Sequence, residues 1–522
     1  MRLVGLAVVT LLAAGIVWRA QLDDDSSTAA RAPDTSSPTT AAPSDTAAPD
    51  TSILVSAKES APATTSTTLP PFDGWVNPAS FGQPYSTTVA GMLTFRGNPT
   101  RSYYGQGPVP AAPKILWRFP PTGGLCHSST DQHGSRIWCG TGWTGQANVW
   151  TNPKDGKLWL AFGAYDAAYH FLDPATGQRM LPDFPTGDID KGSATVDPDG
   201  FPLYYAGSRD NNLRVIALDR DKPTELWRLN ANDVSPTMWN NDWDGAPIVI
   251  DDYLFEGGEN SQFHIVKLNR AYGPDGKVTV NPQLVFHAPG WDQQLLNDIH
   301  DKDVSIENSV AIVGNTVYFA NSGGLVQGWD ITALKTGGTP TRVFRFWTGD
   351  DTDASVVADD QGYLYVASEF ERKNARSKEV GQLMKLDPRK PDNPLVWSFH
   401  DERIGDAGSA GIWSTPAVHD DLVVTTTNYG DVVGLDRATG AVRWKFHLPG
   451  PVWQSPVIVD GTLLQGDCTG VLHAYDVSNT MVQPPVRWEL KIGGCIESTP
   501  TVWQGRIYLG TRAGGFYAIG DA

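Results

Sequence analysis

One position of a recurring strand motif carries charged and aromatic side chains along most of the chain. It lies three residues before the proline, or its equivalent, that begins the first strand of each repeat. From the second repeat onward this position holds Lys191, Asp244, Glu307, Asp353, Trp413, Trp453 and Glu497. If the repeats surround an axis, four carboxylates and one ammonium group converge on a ring. Converging carboxylates repel one another unless a cation or raised pKa values relieve them.

Two interpretations of this ring stay open. It is either the hydrated polar neck of a channel or a site for a cation or cofactor. Asn308 favours the second, because its amide oxygen beside Glu307 would extend a set of oxygen ligands for a hard cation. The seven ring residues and Asn308 are therefore the predicted binding candidates at the mouth of the channel.

The connections next to these positions are rich in Trp and Asp. Residues 239–244 contain two Trp and two Asp, Trp291 and Asp292 precede the acidic run 297–303, and residues 349–353 contain three Asp. Aspartates spaced two apart can chelate calcium, but the rest of a twelve-residue calcium loop is missing, which favours solvated loops. His300 is expected at the surface. A Trp-lined acidic mouth could bind a sugar, a peptide or a protein partner through its aromatic faces.

The sequence contains no familiar catalytic motif. Gly-x-Ser-x-Gly, a Walker loop and His-Glu-x-x-His are all absent, and the 10 His are scattered. The 58 acidic and 40 basic residues give a formal net charge of −18, which argues against binding to nucleic acid or to anionic lipid.

The composition and a long-period repeat predict an all-β fold. The 53 Gly and 38 Pro interrupt helices, and the 19 Trp favour strands. An apolar pair followed by Asp and a turn, or a close variant, recurs at 172–173, 218–219, 268–269, 329–330, 386–387, 435–436, 475–476 and 519–520. A period of 40–50 residues is typical of one four-stranded propeller blade. Eight copies predict an eight-bladed β-propeller with four-stranded antiparallel blades.

The first and last repeats predict how the ring closes. Residues 412–446 read as four strands between Asn, Asp and Gly turns, whereas the last copy stops after its third strand, at 516–519. Residues 115–119, Ile-Leu-Trp-Arg-Phe, read as an outer strand with no blade before it. Pairing the two would close the ring and remove both free sheet edges.

The repeat resembles that of pyrroloquinoline-quinone-type (PQQ-like) β-propellers. Residues 434–444, Gly-Leu-Asp-Arg-Ala-Thr-Gly-Ala-Val-Arg-Trp, match the family pattern in full, residues 173–177 match its first half, and 95–99 and 113–117 look like the family's opening segment. The resemblance covers essentially all of 92–522. It implies that the Asp ties the third turn together and that the Trp stacks between blades. The residues to which it gives these structural roles are Trp117, Trp227, Trp397, Asp436, Gly440, Trp444 and Trp488, with Phe286 and Phe346 in place of Trp in two blades.

The same resemblance raises a quinone-dependent reaction. Family members that are dehydrogenases hold the quinone above a Trp floor beside calcium, and many cover it with a disulfide between adjacent cysteines. By residue type alone, Glu307, Asn308 and Asp353 would be the metal ligands, with an Asp as base. This sequence has no adjacent Cys pair. The sequence therefore predicts no particular cofactor, and PQQ with calcium is the alternative.

The N-terminal region is expected to tether the propeller outside the cytoplasm. Arg2 and the apolar run 3–18 predict a signal-anchor or a cleaved signal peptide over 1–22. Residues 23–71, rich in Ala, Ser, Thr and Pro, predict a disordered linker. Residues 72–112 then lead into the propeller at 113–522.

Four cysteines suggest two disulfides in an exported chain, with three connectivities open. Cys126 and Cys139 would close a short loop before the first blade. Cys468, in the second turn of blade 7, and Cys495, before blade 8, fall on one face of adjacent blades.

These observations favour a membrane-tethered, monomeric binding or scaffold module of the cell envelope. Its partner would be an envelope protein, or a small-molecule or sugar ligand, at the acidic aromatic mouth. The alternative is a PQQ- and calcium-dependent quinoprotein dehydrogenase that oxidises an alcohol or sugar.

Overall fold

Strands with alternating apolar residues form eight antiparallel sheets that surround one axis. The computed structural model describes residues 71–521 except 132–133, 143–144, 406–407 and 409. Each of the eight sheets has four blade strands, which follow one another in sequence in blades 1 to 7, so the predicted eight-bladed, all-β propeller is confirmed. The buried apolar clusters lie between neighbouring blades, for example blades 2 and 3 or blades 4 and 5. Apolar burial therefore stabilises the blade interfaces.

The blades differ mainly in the lengths of their strands. The strands of blades 1 to 4, innermost first, are Asn148–Thr151, Leu158–Ala164, Ala168–Leu172 and Phe184–Pro185; Thr195–Val196, Leu203–Ala206, Asn212–Ala217 and Thr224–Asn230; Ile248–Ile250, Tyr253–Gly258, Gln262–Lys267 and Gln283–Pro289; and Ala311–Val313, Thr316–Phe319, Leu325–Asp330 and Thr341–Trp347. Those of blades 5 to 8 are Val357–Ala358, Leu364–Ala367, Leu383–Leu386 and Leu395–Phe399; Ala417–His419, Leu422–Thr426, Asp431–Asp436 and Val442–His447; Val457–Val459, Thr462–Gly466, Val471–Asp476 and Val486–Lys491; and Thr501–Trp503, Arg506–Thr511, Gly515–Gly520 and Lys114–Phe119.

The remaining elements are short. Two hairpins pair Cys126–Asp131 with Gly134–Cys139 and Ala271–Tyr272 with Val278–Thr279. The helices are Gln293–Ile299 and Ala375–Val380, and the 3₁₀ turns are Pro78–Ser80, Ala231–Asp233 and Thr332–Thr336.

Blade 8 is completed by a strand from far upstream. Lys114–Phe119 pairs antiparallel with Gly515–Gly520, the third strand of the last repeat. The predicted ring closure is therefore confirmed.

The repeat Trp side chains connect several blades to the next. The indole N–H groups donate to carbonyl oxygens of the following blade's turn, in the pairs Trp117 to Pro174 (3.1 Å), Trp397 to Arg437 (3.2 Å) and Trp444 to Thr480 (3.1 Å). Trp488 donates to Pro110, beside blade 8, and Trp227 packs half-buried between blades 2 and 3.

The recurring spacing of this turn follows from its geometry. Asp436 accepts hydrogen bonds from the backbone N–H groups of Ala438 and Thr439 within its own turn. Gly440 has φ +74°, and a Cβ there would lie 2.6 Å from the Trp397 ring. A glycine therefore supplies both the left-handed backbone and the room for the indole.

The segment 91–106 fills the central channel, and we call it the plug. Gly91–Met92 adds a strand to the inner edge of blade 1, and Gly105–Gln106 adds a parallel strand to blade 8. Between them, backbone N–H groups of Val196, Ile312 and Ala358, in blades 2, 4 and 5, donate to the plug carbonyls of Leu93, Pro99 and Thr100. The Tyr104 hydroxyl exchanges hydrogen bonds with the backbone of Val418 in blade 6.

Two fully buried arginines complete the plug. The Arg96 guanidinium donates to the carbonyls of Pro416 and Pro456, in blades 6 and 7. Arg101 donates to Val310 in blade 4 and Ala246 in blade 3, at 2.7 and 2.8 Å. The plug thus contacts the inner strands of all eight blades.

Two segments predicted as loops form regular secondary structure, and the predictions for the N-terminus are not tested. The predicted loop between Cys126 and Cys139 is a β-hairpin. The acidic run after Trp291 was predicted as a loop, but it contains a helix, because Asp292 caps the N–H of Leu295 and His300 ends the helix in the left-handed conformation. The predicted signal-anchor over 1–22 and nearly all of the linker lie outside the described residues. Within residues 71–521, none of the described helices has the length and apolarity to cross a membrane.

Both disulfides pair as the positions in the repeat suggested. Cys126 bonds Cys139 across the hairpin, and Cys468 in blade 7 bonds Cys495 before blade 8.

The buried His170 is expected to lower the free energy of unfolding as the pH becomes alkaline. Burial opposes its charge, but bonds to Asp166 and Asp183 at 3.1 and 3.0 Å outweigh this and raise the pKa of His170 from 6.5 to about 9. Because the folded-state pKa is raised, its stabilisation is complete below pH 6.5 and disappears as the pH rises through about 9. Each pKa unit corresponds to about 1.4 kcal/mol, so we expect a loss of about 3 kcal/mol.

Denaturant unfolding between pH 6 and 10 measures this loss. His170→Gln should flatten the profile, and the surface variant His400→Gln should retain it. A wild-type profile that does not fall above pH 7 would contradict the assignment.

Candidate binding site at the acidic mouth

The connections between blades and the turns between second and third strands lie on one face, which we call the mouth. They share it because consecutive blade strands are antiparallel. The predicted ring residues stand here. Three of them lie three residues before a carbonyl that receives a plug arginine: Trp413 precedes Pro416, Trp453 precedes Pro456 and Glu307 precedes Val310. The plug therefore forms the floor of a closed cup, with the ring above it.

A first carboxylate triad belongs to blade 3. Asp242 and Asp244 lie in the connection before the blade, and Glu259 lies in its second turn. Their carboxylate oxygens lie within 4.8 Å of one another, and all three side chains are buried. The backbone N–H of Glu259 donates to the carbonyl of Asp242 at 3.0 Å, which fixes the turn against the connection.

Two cations neutralise much of this triad. The Lys191 ammonium lies 2.6 Å from Asp244, 3.1 Å from Glu259 and 3.4 Å from Asp242, and Arg209 lies 2.8 Å from Asp242. Burial disfavours the charged ammonium, but Asp244, Glu259 and Asp242 together raise the pKa of Lys191 well above its usual value. Burial also raises the pKa of Asp244 well above its ordinary range, although Lys191 opposes that change. Lys191 is thus the centre of a buried ion cluster.

A second triad occupies the equivalent positions of blade 5. Asp351 and Asp353 lie in the connection before the blade, and Glu369 lies in its second turn, with the three carboxylates again within 4.8 Å. The N–H of Glu369 donates to the carbonyl of Asp351 at 2.8 Å, the same bond as in blade 3. Burial, followed by the charges of Glu371, Asp353 and Asp351, raises the pKa of Glu369 well above its ordinary value.

Glu307 takes the place in front of this second triad that Lys191 takes in front of the first. It accepts hydrogen bonds from the hydroxyls of Ser305 and Ser322, at 2.8 and 3.2 Å. Asn308 faces the backbone: its amide donates to the carbonyls of Ala320 and Thr352, and its oxygen accepts from the N–H of Ala320. The structure therefore places Glu307 at the mouth and uses the Asn308 amide to join blades 4 and 5.

The rest of the ring is aromatic and mixed in charge. The Trp413 and Trp453 rings lie 5.0 Å apart at 40°. Glu497 pairs with Arg512 at 3.2 Å, and Arg512 stacks over Tyr165 and over Trp138 of the disulfide-bonded hairpin. The hairpin thereby borders the mouth beside blades 1 and 8.

Sequence reasoning found the ring but missed the glutamate of each triad. Glu259 and Glu369 lie 15 and 16 residues after their ring aspartates, in turns that were treated only as connections. The usable signal was topological, because the second turn of a blade lies on the same face as the connection before it. Arg209, Arg372 and Arg512 occupy or adjoin such turns and were missed for the same reason.

The residues at the mouth do not fit the family's quinone and calcium set. The Asn308 oxygen, proposed as a ligand by residue type, is engaged by the N–H of Ala320. The two cystines join residues 13 and 27 positions apart, so neither is the adjacent-cysteine disulfide that covers the quinone in many family members.

Comparisons with known proteins agree with the repeat type. The family model described as outer membrane protein assembly factor BamB matches residues 381–483. Quinohemoprotein alcohol dehydrogenase ADHIIG from Pseudomonas putida HK5 is 10% identical with a TM-score of 0.56, and the enzyme from Comamonas testosteroni is 13% identical with a TM-score of 0.53; each alignment covers 83% of this chain and 81% of the other. BamB from Moraxella catarrhalis is 16% identical with a TM-score of 0.48, over 73% of this chain and 98% of that one. No curated protein sequence matches the chain.

These findings define the class of protein. The ring of eight four-stranded blades makes the chain a β-propeller, and the family match over residues 381–483 confirms the predicted resemblance to PQQ-like repeats. At identities of 10–13%, the likeness to the two dehydrogenases shows the fold alone.

Proposed function

We propose that this protein is a binding module of the cell envelope, held outside the cytoplasm by its N-terminal region as a monomer. It engages a partner protein at the mouth. The observation that carries this proposal is the closed cup: the plug fills the channel from the opposite face, so a ligand reaches the ring only from the mouth.

The composition of the cup favours a basic segment of the partner. Trp413 is partly exposed and lies beside the buried Trp453, and aromatic faces attract both apolar groups and cations. The buried carboxylates nearby and the net charge of −18 favour approach of positive charge. A segment that carries lysine or arginine therefore complements both the aromatic rings and the negative electrostatic potential of the mouth.

The quinoprotein alternative has less support. Its metal set would require the Asn308 oxygen that Ala320 engages, and the covering disulfide between adjacent cysteines is missing. Binding without turnover is the function that the cup supports best.

Capture from envelope extract with matched variants tests the proposal. Trp413→Ala with Trp453→Ala should reduce capture of the bound protein at least tenfold, and capture should weaken as salt is raised. The control is Tyr272→Ala, an aromatic residue 56% exposed on a hairpin between third and fourth strands, away from the mouth. Equal capture by all variants would overturn the proposal. So would a quinone absorbance that survives desalting after addition of PQQ and calcium, together with dye-linked alcohol oxidation.

A further inference from the structure

The two carboxylate triads are copies of one arrangement with different neighbours. In both, two aspartates spaced two apart in the connection meet a glutamate from the second turn, and the same backbone hydrogen bond joins turn to connection. Blade 3 receives the Lys191 ammonium from the ring position of blade 2, within 3.4 Å of all three carboxylates. The ring position before blade 5 holds Glu307. The first copy thus holds an ammonium group among its three carboxylates, whereas the corresponding ring position before the second copy is an acid.

We propose that the triad of Asp351, Asp353 and Glu369 binds a divalent cation, with calcium as the best fit. The Lys191 ammonium marks where a cation sits in such a triad. Hard cations prefer carboxylate oxygens, and three carboxylates exceed what one monovalent charge neutralises. Their exposures of 2–4% leave access for an ion rather than for a side chain of a partner.

Glu369 gives an independent indication of a ligand. Its side chain is 2% exposed, and its Oε2 atom has no hydrogen-bond partner among the described residues. An unpartnered carboxylate oxygen in the interior is costly unless a cation or proton satisfies it. On this side of the mouth the Arg372 guanidinium donates to Asp301 and to the carbonyl of Ser322, and its charge also acts on Asp351. A bound cation would satisfy Oε2 and relieve the repulsion that Glu371, Asp353 and Asp351 exert on Glu369.

This inference shares only Asp353 with the quinone-and-calcium set, because it uses neither Glu307 nor Asn308 and needs no cofactor. It also goes beyond the proposed function, since the cation binds whether or not a partner is present.

Calorimetric titration of chelator-treated full chain with calcium chloride tests the site. We expect one calcium per chain and a higher unfolding temperature in calcium. Glu369→Gln should weaken calcium affinity at least tenfold, whereas Glu379→Gln, an exposed carboxylate on the nearby helix Ala375–Val380, should leave it unchanged.

Glu307→Lys provides a test that does not depend on losing a ligand. By analogy with Lys191, the new ammonium should enter the blade 5 triad, abolish calcium binding and raise the unfolding temperature of the calcium-free protein. Wild-type protein that shows neither binding heat nor a calcium-dependent unfolding temperature would overturn the inference. Calcium binding that survives both Glu369→Gln and Glu307→Lys would overturn it too.

Discussion

Replacing Arg101 by methionine is expected to lower the free energy of unfolding by about 3–5 kcal/mol. The substitution removes donors from the carbonyls of Val310, Ala246 and Phe95, all of which stay buried beneath the mouth. It also removes the positive charge that acts on the buried Glu256. Buried acceptors and a buried acid without a partner lower the stability by more than burial of the apolar methionine side chain raises it. This is a large part of the 5–15 kcal/mol typical of a folded domain.

Denaturant unfolding followed by Trp fluorescence measures the effect. The matched control is Arg228→Met, whose partner Glu225 lies with it on an outer strand and whose side chain is 55% exposed, so a change below about 1 kcal/mol is expected there. Hydrogen exchange should show faster exchange in residues 91–106 of Arg101→Met. Equal stability of the two variants would show that the plug does not hold the ring together.

Replacing Lys191 by methionine is expected to be nearly as damaging at neutral pH, by about 3–5 kcal/mol. The Lys191 ammonium lies 2.6 Å from Asp244, and its loss leaves three buried carboxylates with Arg209, which pairs with Asp242, as the remaining cation that the described ion pairs place beside them. Breaking a buried ion cluster by removing one partner usually costs this much.

The pH dependence of this variant has a definite sign. Without Lys191 the pKa values of Asp242 and Asp244 rise further above those of the unfolded chain, so protonation restores stability as the pH falls. The difference in unfolding free energy between wild type and Lys191→Met should therefore shrink from pH 8 to pH 5. If the two triads are equivalent, calcium should also stabilise the Lys191→Met variant at pH 7.5. This variant should then bind two calcium ions per chain. A difference that widens toward pH 5 would contradict the ion cluster.

The architecture could be predicted from the sequence because it depends on local periodicity. Strand alternation and turn residues recur in each blade, and the unpaired outer strand at 115–119 could be matched to the incomplete last repeat. The plug could not be predicted in this way. Its few strand residues carry no period, and the positions of Arg96 and Arg101 are decided by carbonyls of blades hundreds of residues away.

The site was predictable only where it follows the inner strands. Asp244, Glu307 and Asp353 could be aligned because each stands at a fixed distance before a strand. Glu259 and Glu369 depend on turns whose lengths vary, so their approach to those aspartates follows from the folded blade. The helix Gln293–Ile299 was missed although Asp292, three residues before Leu295, is a usable N-cap signal.

The direction of the indole contacts has a consequence for cooperativity. Trp397 and Trp444 each donate a hydrogen bond from an outer strand to the blade that follows. Trp117, in the strand Lys114–Phe119, makes the same bond from blade 8 to blade 1. A linear repeat array can lose structure from its terminal units, whose neighbours lie on one side only. A circular array has no terminal unit, so every blade is held from both sides. We expect this domain to unfold in a single transition, without partly melted states that expose a sheet edge.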